Sequence, residues 1–389
     1  MRIAVLAWES VHSIMVGGLA VVVSRQAEAL AKLGHEVHLF TRRGEGQSDA
    51  EYLNGHYYHR CTFDAGQNLL AFAHNMSQAF VTRLHEAERT YGRFDIVHGH
   101  DWHVVDALHE LRSEERVVVL TFHSTEYGRN GGKFGDWWEF KEVSGKEWYG
   151  GYIADRITTV SNTMRNELCW LYTIPPDKIT VIPNAVDRER FRMKVDPGRI
   201  KEKYGIHPLA PTVLFLGRLV NQKGPDLLIE AIPKVLSNRR DVKFIFAGEG
   251  GMRAYLQHRV VELGVEWSTR FLGWVPFPPL IELLNAADIV CIPSRNEPFG
   301  VVLLEAWAAG RPVVATDVGG LGENIENFVD GVKVYPHPDS VAWGINYLLS
   351  NPDIMRQISE NCGKKVETFS WTNVAEQLIK TYRLALEAS

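Results

Sequence analysis

Arg2-Ile-Ala-Val-Leu-Ala7 opens the chain as an apolar, β-branched run, and Leu19 to Leu33 follows with apolar side chains at helical spacing. Gly34 then sits where a helix C-cap needs a positive φ, and Glu36 to Thr41 resumes the strand pattern. Together these stretches read as one βαβ unit. Strand-like runs recur at Asp95 to His98, Val117 to Phe122, Ile157 to Val160 and Ile179 to Ile182, with a helical pattern over Asn68 to Tyr91 and a less regular stretch after Arg43. Short strands alternating with helices predict a parallel sheet covered by helices, an α/β fold.

After Pro183 the text turns polar and rich in Lys, Arg, Pro and Gly as far as Pro211, which reads as a linker. A second winding begins at Val213 to Leu216 and continues through strands Lys243 to Ala247, Arg270 to Leu272, Ile289 to Pro293 and Pro312 to Ala315. Helices are expected between them, at Pro225 to Leu236, Arg253 to Leu263, Pro278 to Asn285 and Gly300 to Ala309. The expectation is two Rossmann-like domains, 1–185 and 186–370, facing each other across a cleft. Ligands of such sheets bind at the carboxyl ends of the strands. A last helix, Thr372 to Ala388 within 371–389, carries Val374, Leu378, Ile379, Tyr382 and Leu386 at helical spacing and is expected to pack back on the first domain.

Composition narrows the function classes. A length of 389 residues favours two domains, and 45% apolar with 23% charged residues is ordinary globular usage. Lys and Arg number 42 against 47 Asp and Glu, a net charge of −5, so no excess of positive charge recruits nucleic acid. Cys61, Cys169, Cys291 and Cys362 lie far apart, without zinc spacing, and read as reduced core thiols. The N-terminus lacks the pattern of a signal peptide, and no run approaches the ~18 apolar residues of a membrane span. Those readings point to the cytoplasm, with peripheral membrane contact left open and the oligomeric state unaddressed.

Polar groups concentrate where strands end. Gly17-Gly18-Leu19 opens the first helix, where backbone N–H groups can approach an anion, although the full G-x-G-x-x-G spacing is absent. In the second half, Gly217-Arg218-Leu-Val-Asn-Gln-Lys223-Gly224 places two cations five positions apart just past a strand, a pair suited to a diphosphate. The segment Pro293-Ser-Arg-Asn-Glu297-Pro-Phe-Gly300-Val-Val-Leu-Leu-Glu305 puts one carboxylate in a loop and another in the next helix, eight positions on. Ionised carboxylates accept several hydrogen bonds and so suit sugar hydroxyls. In the first half, Val97-His98-Gly-His100-Asp101-Trp102-His103 and Leu120-Thr-Phe-His123-Ser-Thr-Glu126 each end a strand. Their histidines lack the helical spacing and carboxylate partner of a metal site and are assigned to hydrogen bonding with a polyhydroxylated substrate, or to helix capping. Trp137, Trp138, Trp148 and Tyr149 could stack on sugar or simply pack.

In this order the segments resemble the retaining GT-B glycosyltransferases of family 4 and the neighbouring glycogen and starch synthases. Glu297 to Glu305 matches their E-x7-E motif, supported by Gly217-Arg218, Lys223-Gly224, Ile182-Pro-Asn-Ala-Val-Asp187, Gly319-Gly320-Leu321 and Asp330-Gly331. His100 to His103, Gly150 to Asp155 and Ala7 to Glu9 tilt the likeness toward glycogen synthases. The resemblance implies that Arg218 and Lys223 hold the diphosphate of a UDP- or ADP-sugar, Glu305 the ribose, and Glu297 with the backbone of Phe299, Gly300 and Val301 the donor sugar. Gly17 and Gly18 would approach the phosphates, Gly248 and Gly273 would frame the base, and His123 and Asp101 would meet the transferring sugar. It also implies a carbohydrate acceptor, a leaving phosphate that helps deprotonate it, and no metal or other cofactor, in keeping with the lack of a D-x-D triplet. Two positions depart from the pattern. Met15 stands where glycogen synthases carry Lys, which leaves the donor open, and Ala185 replaces a frequent Gly. Glucan synthesis is the leading reaction, transfer to a small molecule or lipid carrier the runner-up, and an epimerase or a sugar-binding protein the readings from other classes.

Overall fold

The computed structural model describes residues 1–388, which form two compact units, Met1–Ala185 with the segment from Trp371, and Val186–Ser370. The first unit is built on eight strands. They are β1 (Arg2–Leu6), β2 (Glu36–Arg42), β3 (Ala50–Leu53), β4 (His56–Cys61), β5 (Ile96–His100), β6 (Val118–Phe122), β7 (Arg156–Thr159) and β8 (Ile179–Val181), in the order β3-β4-β2-β1-β5-β6-β7-β8. All neighbours are parallel except β3 and β4. That hairpin lies in the stretch after Arg43 that reads as irregular. It turns through Asn54 and Gly55, whose φ values of 53° and 87° are those of a two-residue primed turn.

Side chains of β1 alternate between two cores, as a pleated strand requires. Ile3, Val5 and Ala7 face a layer with Val23, Ala27 and Leu30 of the helix Gly18–Lys32. Ala4 and Leu6 face Phe80 and Leu84 of the helix Leu69–Tyr91, Leu108 of Val105–Ser113 and Leu168 of Asn162–Tyr172. The helix Leu69–Tyr91 starts where Asn68 accepts a hydrogen bond from the Ala71 N–H at 2.9 Å, an N-cap contact that satisfies an otherwise orphaned donor. The C-terminal helix Trp371–Glu387 joins the first layer, packing on the helix Gly18–Lys32 with Val374, Ala375, Leu378, Ile379, Tyr382 and Ala385 buried. Leu386, counted above on its covered face, is instead 39% exposed; the smaller Ala385 takes the buried place.

The second unit contains β9 (Thr212–Leu216), β10 (Lys243–Ala247), β11 (Thr269–Gly273), β12 (Ile289–Ile292), β13 (Val313–Thr316) and β14 (Val332–Val334). Every neighbouring pair in the order β11-β10-β9-β12-β13-β14 is parallel. Central strands of such a sheet are covered on both faces, so β9 and β10 read as nearly unbroken apolar runs, with Val213, Leu214, Phe215, Phe244, Ile245 and Phe246 all buried. The strand order reverses between β9 and β12, and in the first unit between β1 and β5. Each reversal opens a crevice at the carboxyl ends of its two strands.

The polar stretch up to Pro211 is not a linker. It carries the helices Arg188–Phe191 and Pro197–Lys203 and belongs to the second unit. Lys201 is 5% exposed, its Nζ 2.8 Å from Asp288 and 2.9 Å from the carbonyl of Ala210, while Phe191, Ile200 and Ile206 are buried. The charge that suggested solvent is neutralised by a partner far along the sequence.

Candidate functional site

Two loops meet at the reversal point of the second unit. After β9 the chain runs through Gly217 and Arg218 to Lys223 and Gly224; after β12 it runs from Pro293 through Glu297 into the helix Val301–Ala308. Arg295 ties them, its guanidinium gripping both oxygens of Asp226 at 2.8 and 2.5 Å and its backbone N–H donating to the Gln222 carbonyl. Gly224 holds φ +63°, and a Cβ there would stand 2.0 Å from the Pro293 oxygen, so only glycine lets the loops approach this closely.

This packing brings Lys223 to Glu297. Its ammonium lies 2.8 and 2.7 Å from the two carboxylate oxygens, and Ser294 Oγ donates to the second at 3.0 Å. Glu297 is buried and Lys223 half-buried. The Glu297 carbonyl accepts from the Gly320 N–H at 2.8 Å, which fixes the loop from the side of β13. Arg218 is exposed, and among the described residues no carboxylate pairs with it. One cation is thus free for an anion and the other is already matched.

Glu305 lies half-buried in the second turn of the helix Val301–Ala308, whose start is set by Gly300 in a left-handed conformation at φ 94°. Burial among Leu303, Leu304, Ala306 and Trp307 pushes its carboxyl up to about 7, and the charge of Arg190 on the helix Arg188–Phe191 partly offsets this. Phe299 is buried, Val301 half-buried. Gly248, at the end of β10, donates its N–H to the Gly273 carbonyl at the end of β11, so these two glycines adjoin one edge of the same crevice.

In the first unit the loop after β1 is organised by Glu9, which the sequence places in a family-like segment without giving it a role. Its carboxylate, 2% exposed, accepts the Val16 and Gly17 N–H groups at 2.6 and 2.8 Å. Burial raises its pKa, opposed by those two donors and by Arg42. The Gly17 amide, assigned above to a donor phosphate, is therefore held by a carboxylate of the chain itself, while Gly18 is exposed with open space where a Cβ would stand.

Asp101 ends β5 at φ 59°, and its Oδ1 accepts the backbone N–H of His123 at 2.8 Å. It acts on the His123 backbone first. His123 is half-buried, with Nε2 2.9 Å from Nδ1 of the fully buried His100. The other histidines correct the substrate-binding expectation. His98 is a core residue between Tyr382 and Thr121, at 2.7 and 2.6 Å, and His103 stacks on Trp8 and Trp102 with centroids 4.5 and 4.2 Å away. A strand carries alternate side chains to one face, so His98 and His100 both point into the sheet's cover.

Arg129 and Glu147, which sequence reading missed, pair at 2.5 Å and are joined by Glu126 and Tyr172, which brace the turn following His123. Of the aromatic segment, Tyr149 bonds His109 at 2.7 Å, whereas Trp137, Trp138 and Trp148 are exposed by 45%, 55% and 51% on or beside the helix Trp138–Ile153. No helix among the described residues is long and apolar enough to cross a membrane.

Comparison with known proteins agrees with this geometry. The family described as Glycosyltransferase Family 4 matches residues 16–190, and Glycosyl transferases group 1 matches 197–365. An uncharacterized glycosyltransferase of Methanocaldococcus jannaschii is 37% identical over 100% of this chain and 99% of its own. A glycogen synthase of Mycobacterium tuberculosis is 29% identical, covering 99% and 95%, and a D-inositol 3-phosphate glycosyltransferase of Nocardia farcinica 32%, covering 95% and 85%. Among solved structures, a sucrose-phosphate synthase from Thermosynechococcus elongatus superposes with a TM-score of 0.83 at 23% identity over 100% of both chains. Two others reach 0.79: an Anabaena protein in complex with UDP-glucose, at 20% identity over 98% and 99%, and the catalytic domain of starch synthase IV from Arabidopsis thaliana bound to ADP and acarbose, at 18% over 99% of both. These likenesses show the GT-B fold.

Proposed function

Because the chain belongs to the family 4 glycosyltransferases of GT-B fold, we propose that it moves a hexosyl unit, glucose first, from a UDP- or ADP-sugar to a glucan-type acceptor with retention of configuration. The observation that carries this reading is the Lys223–Glu297 pair, with the exposed Arg218 on the same loop as Lys223. A nucleotide diphosphosugar offers two negative phosphates and a ring of hydroxyls, so it complements both members of that pair at once. Arg218 and Lys223 take the diphosphate, Glu297 and the backbone of Phe299, Gly300 and Val301 take sugar hydroxyls, and Glu305 takes the ribose diol. The base rests near Gly248 and Gly273.

In the transfer, the bond from the anomeric carbon to the diphosphate oxygen breaks and its electron pair leaves on the diphosphate. The acceptor oxygen bonds the same face of that carbon, and its proton passes to a departing phosphate oxygen. Negative charge gathers on the diphosphate as this happens, which is where two fixed cations stabilise most. They supply the charge that a metal supplies elsewhere, so no metal cofactor is required. In the first unit, His123 contributes to the sugar, and the exposed tryptophans beside Trp138–Ile153 to the acceptor. Nucleotide sugars as donors favour a cytoplasmic address.

A donor panel crossed with glucan, small-sugar and lipid acceptors, read by mass spectrometry with anomeric configuration from NMR, tests the reading. Transfer from a nucleotide sugar with retention, unaffected by EDTA, is expected; inversion, or activity abolished by EDTA and restored by metal, overturns it. A small-molecule acceptor is the second reading, favoured by Met15 at the lysine position of glycogen synthases and by the likeness to an inositol phosphate glycosyltransferase.

A further inference from the structure

The ring of His123 is held from one side by a residue with no exposed surface. His100 is 0% exposed, and its Nδ1 stands 2.9 Å from Nε2 of His123 with the two ring planes 20° apart. The His100 Nε2 is buried and has no hydrogen-bond partner among the described residues. Asp101 pins the His123 backbone at the same time through its 2.8 Å contact with the N–H. Burial lowers the pKa of both imidazoles, so each carries one proton near neutrality.

One proton per ring leaves two arrangements across the His100–His123 contact. If His123 donated from Nε2, the His100 proton would have to sit on its own Nε2, a buried N–H facing no acceptor. If His100 donates from Nδ1, the atom without a partner is a bare ring nitrogen. Orphaned buried N–H groups are the rarer of the two in folded proteins. We infer that His100 keeps its proton on Nδ1 and donates it to Nε2 of His123, fixing His123 as the Nδ1–H tautomer. His123 then meets a ligand with a proton and not with a lone pair. Resting on the glycosyl-transfer reading, this makes His123 a hydrogen-bond donor to a sugar hydroxyl and denies it the part of a base at Nδ1. His100 is a positioning residue that sets this polarity.

The neighbouring histidine takes no part in the choice. Both nitrogens of His98 already face hydroxyls, of Tyr382 and Thr121, so nothing it carries reaches His123 through a hydrogen bond.

Long-range 1H–15N spectra of the full chain labelled with [15N]histidine read the tautomer directly, with His123 assigned by its loss in His123→Phe. The expected spectrum has a bare Nε2 and a protonated Nδ1 for His123; the reverse pattern overturns the inference. His100→Asn places an amide N–H where Nδ1–H stood, so it should preserve both the tautomer and kcat/KM. His100→Leu removes the donor and should release the tautomer and lower kcat/KM by about 10- to 100-fold, the scale of a small misplacement of a reacting group. Equal loss in the Asn and Leu variants, or none in either, overturns the positioning role. If His100→Leu does not fold, the wild-type spectrum and His100→Asn still decide. Failure of the wild-type chain to use any nucleotide sugar would overturn the functional reading while the spectra still judged the tautomer.

Discussion

Replacing Glu305 by Gln should make the second unit more stable and the enzyme worse, by amounts that depend on pH. Burial raises this carboxyl from 4.5 to about 7 in the folded chain. At about 1.4 kcal/mol per pH unit, ionising it when folded costs about 3 kcal/mol more than when unfolded. The folded pKa is the higher one, so this stability is fully present below pH 4.5 and is lost as pH rises through 7. Glu305→Gln removes the titration. Relative to wild type, the variant should gain about 2 to 3 kcal/mol between pH 5 and pH 8, or roughly 5 to 10 °C in the Tm of a unit of this size. Thermal unfolding of both proteins from pH 4.5 to 9, with the second unit followed by amide exchange of its own strands, measures the difference. Donor KM should rise over the same range with a smaller change in kcat, since contacts to ribose stay constant through the reaction. Parallel Tm curves across the whole pH range would refute the burial argument.

Lys223→Ala should lower kcat by about 10² to 10³, the loss of roughly 3 to 4 kcal/mol of charge stabilisation, with donor KM changing less; steady-state kinetics showing full turnover would remove Lys223 from the leaving-group role. Gly224→Ala, which sets a Cβ 2.0 Å from the Pro293 oxygen at φ +63°, should cost at least about 2 kcal/mol in denaturant unfolding, and a midpoint equal to wild type would show that the loops can part. Tyr382→Phe strips His98 of its 2.7 Å partner and should destabilise the first unit by about 1 to 3 kcal/mol, seen as faster amide exchange in the helix Trp371–Glu387; unchanged protection would mean that the hydroxyl is dispensable.

Local pattern carried the fold well wherever burial and periodicity coincide. The apolar run at Val213 to Leu216 and the spacing from Leu19 to Leu33 each have one physical solution, and both appear as strand and helix. The β3–β4 hairpin escaped although Asn54-Gly55 is a strong turn signal, because His56, Tyr57, Tyr58, His59 and Arg60 do not alternate in polarity. Three of those polar residues are buried by a sheet neighbour and its cover, which a local window does not contain. The same limit hid Lys201, whose counter-charge Asp288 lies 87 positions away. At the candidate site, residue types at strand ends were legible, since loops after parallel strands converge whatever their sequence. Partnerships were not. That Glu9 holds the glycine loop, that Asp101 serves the His123 backbone, and that Lys223 is matched by Glu297 depend on contacts between loops.

The match between Lys223 and Glu297 bears on how the proposed reaction cycle ends. While a sugar nucleotide is in place, phosphate satisfies the ammonium and hydroxyls satisfy the carboxylate, so separating the two charges carries no penalty. Once the hexosyl group has gone, the spent nucleotide still serves the ammonium but leaves a buried carboxylate with the Ser294 hydroxyl and no counter-charge. Restoring the pair at 2.7 Å then competes with the remaining phosphate for the same cation. On the proposed function, the protein would thus contain its own competitor for product, one that sugar holds off and whose advantage returns only after sugar has been delivered.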